Sequence, residues 1–506
     1  MRIGQRRIVL AALIGAALSG APAQAAEVIV VDGDHAVRRS DPVVPARSAS
    51  DLLRPPARPR RAAVTAGAAA TSTARGRRAV RRALVKTLRA KKISRPRYRR
   101  WKRQYLLARR TLRRLRGARR AQLGYVVSSV ERLARGRRLI ASRMPVAFLQ
   151  MTRNRQYWRK LPYPASGDRV TFARSEILFQ YFPGQGLQLH PLSTFKKANL
   201  IHGACVREEP ACDPEALALL LDEMETLAVR RGRRFIAWEY LFDFGGGAPP
   251  WMSGMAQATA IQALGRAAAL LDQPHYLKTA RRALGAFETL PPAGVRAVGP
   301  AGGIHYLQYS FAPRLWIFNA FLQSLIGLYD FSKATGNERA RELFEEAEPE
   351  AREELPLSDV GDWSRYSYAG NESSADYHEL LREFLQSMCS RRLGAEYCTY
   401  ARRYRGYQTD PPVLKLNVPE LTQKGDLTAI RFSISELSAV EITITKGQRV
   451  AHHQIATFRR GARSFLWRPR SRGLYTVRLG AKELRTGLGL KDRGTTEIEV
   501  EPDPAA

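Results

Sequence analysis

Aromatic and acidic side chains crowd at three places in the middle of the chain. The first is Trp238-Glu239-Tyr240, with Trp251 and Gln257 downstream. The second is His305-Tyr306-Leu307-Gln308-Tyr309. The third is Trp363-Ser364-Arg365-Tyr366-Ser367-Tyr368, followed by Asp376-Tyr377-His378-Glu379. Rings with a polar tip stack on an apolar face while the tip meets a hydrogen-bonding group, so this density points to a carbohydrate cleft. Any one of these tyrosines serves as readily in packing. No G-x-S-x-G, H-E-x-x-H, G-x-G-x-x-G or kinase set occurs, and no motif-borne nucleophile or zinc site follows. The glycine-rich loop from Asp243 to Pro250 lacks the Gly-Lys-Ser/Thr of a phosphate loop. Glycoside hydrolysis would need two carboxylates facing one bond, and no pair stands out.

The elements that must position these groups read mainly as helices. Asp213 can cap a helix with Pro214 at its first position. Trp251 to Leu271 is a long helix with small residues at Ala256, Ala260, Ala263 and Ala267. His275 to Leu290, Trp316 to Phe331, Asn337 to Glu348 and Ser374 to Leu393 follow, with Pro349 expected to stop the third of these. No buried strand run is evident between them, which disfavours a βαβ sheet. The expectation is a mainly α chain, with an α/α toroid over residues 146–411. From Val413 onward seven short alternating runs separated by turns predict an immunoglobulin-like β-sandwich over 412–506.

The N-terminal part sets compartment and charge. Arg2, Arg6 and Arg7, an apolar run and Ala23-Gln24-Ala25 have the layout of a secretory signal over 1–25. Export would expose the chain to oxidising conditions, where Cys205 with Cys212, and Cys389 with Cys398, can each close a small loop. Lys and Arg number 83 against 46 Asp and Glu, a formal charge of +37. Residues 51–120 hold 26 Lys or Arg against Asp51 alone. Residues 26–78 read as a flexible linker. Residues 79–145 read as basic helices around Arg95-Pro96-Arg97, suited to an anionic cell-surface polymer or a membrane surface. Export argues against nucleic acid as the partner.

One further feature is a family resemblance over about residues 180–410. Leu187 to Leu192, Trp251-Met252-Ser253-Gly254-Met255-Ala256-Gln257, the stretch from Gly303 through Tyr309 to Ser324-Leu325-Ile326-Gly327-Leu328-Tyr329-Asp330, and Asp376-Tyr377-His378 resemble, in order and spacing, the C-terminal domain of the D-glucuronyl C5-epimerases. Ala320 replaces a glycine of that pattern. The resemblance implies an epimerase acting at C5 of uronic acids in an anionic, heparosan-like polysaccharide, with Tyr309, Tyr366 and Tyr377 in proton exchange. The family's glutamate before the first tyrosine falls on Gln308, which cannot exchange a proton as a carboxylate does. Glu239 or Asp376 would then have to compensate.

The chemistry itself constrains the site. Removing a proton alpha to a carboxylate requires donors that stabilise the enediolate, with a base and an acid on opposite ring faces. A phenol of ordinary pKa near 10 needs a cation beside it to ionise. Arg365 next to Tyr366, His378 next to Tyr377, and Arg314 are candidates by proximity in sequence. His190, Lys196 and Lys197 are candidates for an anionic cleft, and Gln308, Trp251, Gln257 and Glu239 complete the substrate-binding set. No cofactor is called for, although oxygen-rich loops leave room for a structural calcium. If the enediolate expels the 4-linked sugar, the same machinery is a uronate polysaccharide lyase. A degenerate site would leave a non-catalytic secreted glycan-binding protein.

Overall fold

The computed structural model describes residues 26–44, 74–232 and 235–502. The expected signal, 1–25, lies outside them. The expected linker does not begin as one. Strands β1 (Ala26–Asp32) and β2 (His35–Asp41) form an antiparallel hairpin. The β-branched run Val28-Ile29-Val30-Val31 supplies its apolar face, with Val28, Ile29 and Val31 buried.

Three helices carry the basic stretch: α1 (Ala74–Arg89), α2 (Arg95–Arg114) and α3 (Gly117–Arg135). Pro96 sits in the first turn of α2, behind Ser94, whose side chain accepts from the Arg97 N–H. Trp101, Tyr105, Ala108 and Leu112 make the buried stripe of α2, and the arginines take the opposite face. Helix α4 (Met144–Trp158) leads to β3 (Arg169–Phe172), β4 (Phe179–Phe182) and β5 (Gly186–Leu189). These join the first hairpin in one sheet of order β2-β1-β3-β4-β5, with β1 parallel to β3.

The next elements are α5 (Pro191–Val206), α6 (Pro214–Leu227), β6 (Val229–Arg231), β7 (Phe235–Ala237), α7 (Gly254–Leu270), α8 (His275–Ala283) and α9 (Gly285–Glu288). The hairpin β8 (Arg296–Val298) and β9 (Ile304–Tyr306) precedes α10 (Phe318–Thr335), α11 (Glu338–Ser358), α12 (Ala375–Ser390) and α13 (Ala395–Thr409). Helix α7 is the centre of this region, packed on α5 and α10, while α10 also meets α11 and α12. Its small residues permit that approach. A Cβ on Gly327 of α10 would lie 2.6 Å from the Ala258 carbonyl of α7. Disulfides Cys205–Cys212 and Cys389–Cys398 close the α5–α6 and α12–α13 connections. Helix α11 runs through Pro349 to Ser358, correcting the expected stop. Proline removes only one helical N–H. The turns beyond it are held by buried Glu350, Ala351, Glu354 and Leu355.

The C-terminal strands are β10 (Leu414–Asn417), β11 (Leu421–Gln423), β12 (Thr428–Ile434), β13 (Ser438–Lys446), β14 (Arg449–Phe458), β15 (Gly461–Trp467), β16 (Gly473–Glu483) and β17 (Gly494–Glu501). They form a three-stranded sheet, β10-β12-β15, and a five-stranded sheet, β11-β17-β16-β13-β14. The strands bury one apolar cluster, including Ile430, Ile442, Trp467 and Val477. Arg485 anchors this unit to the helices, donating to the Asp362 carbonyl at 2.9 Å and carboxylate at 3.0 Å.

The expected class is thereby corrected. Among the described residues the fold is mixed α/β, 45% helix and 24% strand, and no sheet closes into a barrel or sandwich, so neither an α/α toroid nor an immunoglobulin-like sandwich describes it. The physical reason lies partly in β3, β4 and β5. Each is four residues long and almost wholly buried, so the alternation that marks a strand is absent.

Candidate active site

Two short pairings build the floor of the site. Tyr240 and Trp251 exchange backbone hydrogen bonds at 2.8 and 3.2 Å, which stacks their rings at 4.2 Å. The Ser310 N–H donates to the Met252 carbonyl, and the Gly254 N–H to the Leu307 carbonyl, each at 3.0 Å. These straps fix the segment carrying Tyr309 beside the start of α7. Ser253 caps α7 by accepting from the Ala256 N–H at 3.1 Å, and its hydroxyl donates to Gln308 Oε1 at 2.9 Å. Gln308 therefore faces the helix cap.

The three sequence-predicted tyrosines meet here. Tyr309, from the loop after β9, is buried and hydrogen-bonded to Tyr366. Tyr366 lies on a hairpin spanning 364–373, and Tyr377 lies in the first turn of α12. Their ring centroids are 4.7 Å apart at an interplanar angle of 68°. Trp251 meets Tyr309 edge to face at 5.8 Å. His190 caps α5, its Nδ1 accepting from the Ser193 N–H at 3.1 Å, and its ring meets Tyr240 at 5.7 Å. Burial, then Tyr366, Tyr377 and the hydrogen bond to Tyr366, push the Tyr309 phenol well above its ordinary pKa. It is a neutral proton donor in this state.

The other sequence-predicted residues are placed differently. Glu239 is buried between Arg143, at 2.5 and 2.8 Å, and Arg231 at 2.7 Å. Burial raises its pKa, but the two guanidiniums outweigh it and hold the carboxyl below the usual range. Arg231 also donates to the Pro250, Pro292 and Ala293 carbonyls, so the group is a structural staple. Gln257 braces Trp238, accepting from its N–H at 3.1 Å and donating to its carbonyl at 2.9 Å. His378 stacks on Trp363 at 3.7 Å. Its Nε2–H donates to the Tyr404 carbonyl at 2.9 Å, and its Nδ1 accepts from the Ser364 hydroxyl at 2.8 Å. Burial lowers its pKa to about 4, so it is neutral near pH 7. Arg365 donates to the Gly370 carbonyl at 3.0 Å, and Arg314 is exposed. Asp376 is also exposed. Lys197 is buried against Glu176 at 2.6 Å and Asp41 at 3.6 Å, while Lys196 acts on Glu383.

Sequence reasoning gave no site role to two contributors. Tyr240 is central to the cluster, and its only sequence cue was its place beside Trp238 and Glu239. Tyr125 comes from α3, within the basic stretch, and packs on the rim of the same cluster. Its hydroxyl donates to Asp243 at 2.7 Å, and Arg132 also donates to Asp243, at 2.8 Å. Among the described residues, one group has metal-ligand geometry. Asp222, Glu225 and His275 present ligand atoms within 4.8 Å of one another. It lies on α6 and at the start of α8, and Asp222 already accepts from the Tyr276 hydroxyl at 2.8 Å.

Comparison with known proteins bears on this region. Residues 231–406 match the family described as D-glucuronyl C5-epimerase C-terminus. A D-glucuronyl C5-epimerase of Caenorhabditis elegans is 33% identical over 150 residues, covering 26% of this chain and 24% of that protein. An uncharacterised protein of Methanocaldococcus jannaschii is 25% identical over 177 residues, covering 34% of this chain and 58% of its own length. The chain thus spans from about a quarter to somewhat over half the length of these relatives. A solved polysaccharide lyase overlays 44% of this chain and 59% of its own, at 12% identity and a TM-score of 0.31.

Proposed function

From the assignment of residues 231–406 to the C-terminal domain of the D-glucuronyl C5-epimerases, we propose that this protein exchanges the C5 proton of uronic acid residues in an anionic polysaccharide, inverting that carbon. The observation that carries the reading is the convergence of Tyr309, Tyr366 and Tyr377. In the reaction the C5–H bond breaks and its electron pair moves into the carboxylate as an enediolate. A proton then returns to C5 from the opposite face. Tyr309, held neutral by burial, suits the donor. Tyr366, the least buried of the three, suits the base once ionised, the C5 proton converting its phenolate to the phenol, with Tyr377 against it. Trp251 and Tyr240, buried and stacked on each other at 4.2 Å, form the floor that supports Tyr309.

Gln308 takes no proton, since an amide does not exchange one as a carboxylate does. Its bond to Ser253 instead keeps Tyr309 in register with α7. An exported setting accords with the two disulfides.

The test is incubation of the protein with unsulfated heparosan in D₂O. Proton NMR reads C5, and ultraviolet absorbance reads an unsaturated product in the same tube. Deuterium at C5 with new epimeric signals is the expected result. Rising absorbance would make the protein a lyase. Binding with neither signal would make it a non-catalytic glycan-binding protein.

A further inference from the structure

The hairpin that carries Tyr366 has a second face. The Tyr366 N–H donates to the Asn371 carbonyl at 3.1 Å, and Arg365 bridges Glu372. Alternate residues of such a pairing point to opposite sides. Tyr366 turns to the tyrosine cluster, while Arg365 and Glu372 turn to a cleft of about 560 Å³ between the hairpin and the C-terminal strands. Arg459, Arg460, Arg463, Arg485 and Asn371 line the same cleft.

The charge of this cleft is only partly answered. Asp362 and Glu372 are its carboxylates, and both are engaged. Asp362 accepts from the Leu437 N–H at 3.1 Å and from Arg485 at 3.0 Å. Glu372 lies 3.3 Å from Arg485 and 3.6 Å from Arg459. The remaining three guanidiniums are tethered to backbone carbonyls. Arg365 donates to Gly370 at 3.0 Å, Arg460 to Gly361 at 3.2 Å, and Arg463 to Arg459 and Arg460 at 2.7 Å each. A carbonyl fixes a guanidinium without neutralising it. Each fork has five N–H donors, and its planar shape matches a carboxylate in a bidentate fashion. The volume is that of a small-ligand cleft.

We propose that this cleft is a carboxylate-binding subsite for the polyuronate, seating a uronate that flanks the one held at the tyrosines. It rests on the reading of the tyrosine cluster as the reacting site. The shared hairpin places the two one residue apart in sequence and on opposite faces of one wall.

The test is calorimetric binding of long heparosan fragments, and of the single disaccharide repeat, to the full chain. R460S/R463S is the test variant and R460K/R463K the conservative one. R99S/R103S, on the exposed face of α2, controls for diffuse attraction to the basic helices. Arg460 is exposed and Arg463 half-buried, and a thermal melt checks that each variant folds. The expected result is a roughly tenfold weaker affinity of R460S/R463S for long fragments, the size of a lost charge-assisted hydrogen bond. R460K/R463K should lose less, and R99S/R103S should change little. Unchanged affinity in R460S/R463S, an equal loss in R99S/R103S, or no polyuronate binding by the unsubstituted protein would overturn the proposal. The two readings fail separately. Loss of affinity without C5 exchange would sink the epimerase and keep the subsite, whereas exchange without loss of affinity would sink the subsite.

Discussion

At the scale of residues, the candidate site is a group of phenols, and burial sets the protonation of one of them, Tyr309. Tyr309 is held neutral by its surroundings. The sequence neighbours of Tyr366 and Tyr377 do not supply cations to the cluster, because Arg365 faces the other side of its hairpin and His378 is neutral. The carboxylate that stands closest in sequence to the floor, Glu239, is spent on structure. Replacing it tests that assignment. E239A would leave Arg143 and Arg231 buried without their counter-charge, and breaking a buried pair costs about 3–5 kcal/mol. Denaturant unfolding should show a loss of that size. A loss of exchange at unchanged stability would instead return Glu239 to the chemistry. The three tyrosines were legible in the sequence because each sits in a short motif. The orientation of Arg365 and His378 was not, because a one-residue step reverses the face in a hairpin and turns about a quarter of the way round a helix.

At the scale of elements, the close approach of α7 and α10 sets the geometry beneath Tyr309. Gly327 has no room for a side chain against the Ala258 backbone. G327A should therefore lose about 1–3 kcal/mol by overpacking, read as a lowered unfolding midpoint. An unchanged midpoint would mean that the two helices can part at no cost. Helix α6 was legible from its cap and apolar spacing, since Asp213 caps as its type suggests, whereas α7 starts at Gly254 behind a Ser253 cap, inside the expected start at Trp251. Six of the seven C-terminal runs fall within observed strands, and the first, Leu416-Asn417-Val418, overruns β10 by one residue. The sheet formed by β1 to β5 was not legible. Its central strands show no alternation, and β1 pairs with β3 across more than a hundred intervening residues.

At the scale of the whole molecule, the joint between the helices and the C-terminal strands is charged and responsive to pH. Glu436 is buried near it, and burial, then Glu483 and Asp362, push its carboxyl up to about 7, against the pull of Arg485. Its folded pKa is thus above its unfolded value of about 4.5. The stability it contributes is fully present below that value and is lost as pH rises through about 7. Burial lowers His202 and His378 to about 4 and acts in the opposite sense, so their contribution is lost as pH falls from about 6.5 to 4. E436Q isolates the first effect. Its melting temperature relative to the unsubstituted protein should rise by a few degrees between pH 5 and pH 8. A constant difference would remove Glu436 from the pH response.

The central claim is that the buried tyrosines move the C5 proton. The measurement that bears on it most directly is the rate of deuterium entry at uronate C5 in heparosan, compared between the unsubstituted protein and Y309F. Removing one positioned acid or base typically costs on the order of 10²- to 10⁴-fold. The account predicts measurable exchange by the unsubstituted protein and a fall of at least about a hundredfold in Y309F, with an unchanged melting temperature. Exchange by Y309F at the unsubstituted rate would contradict it.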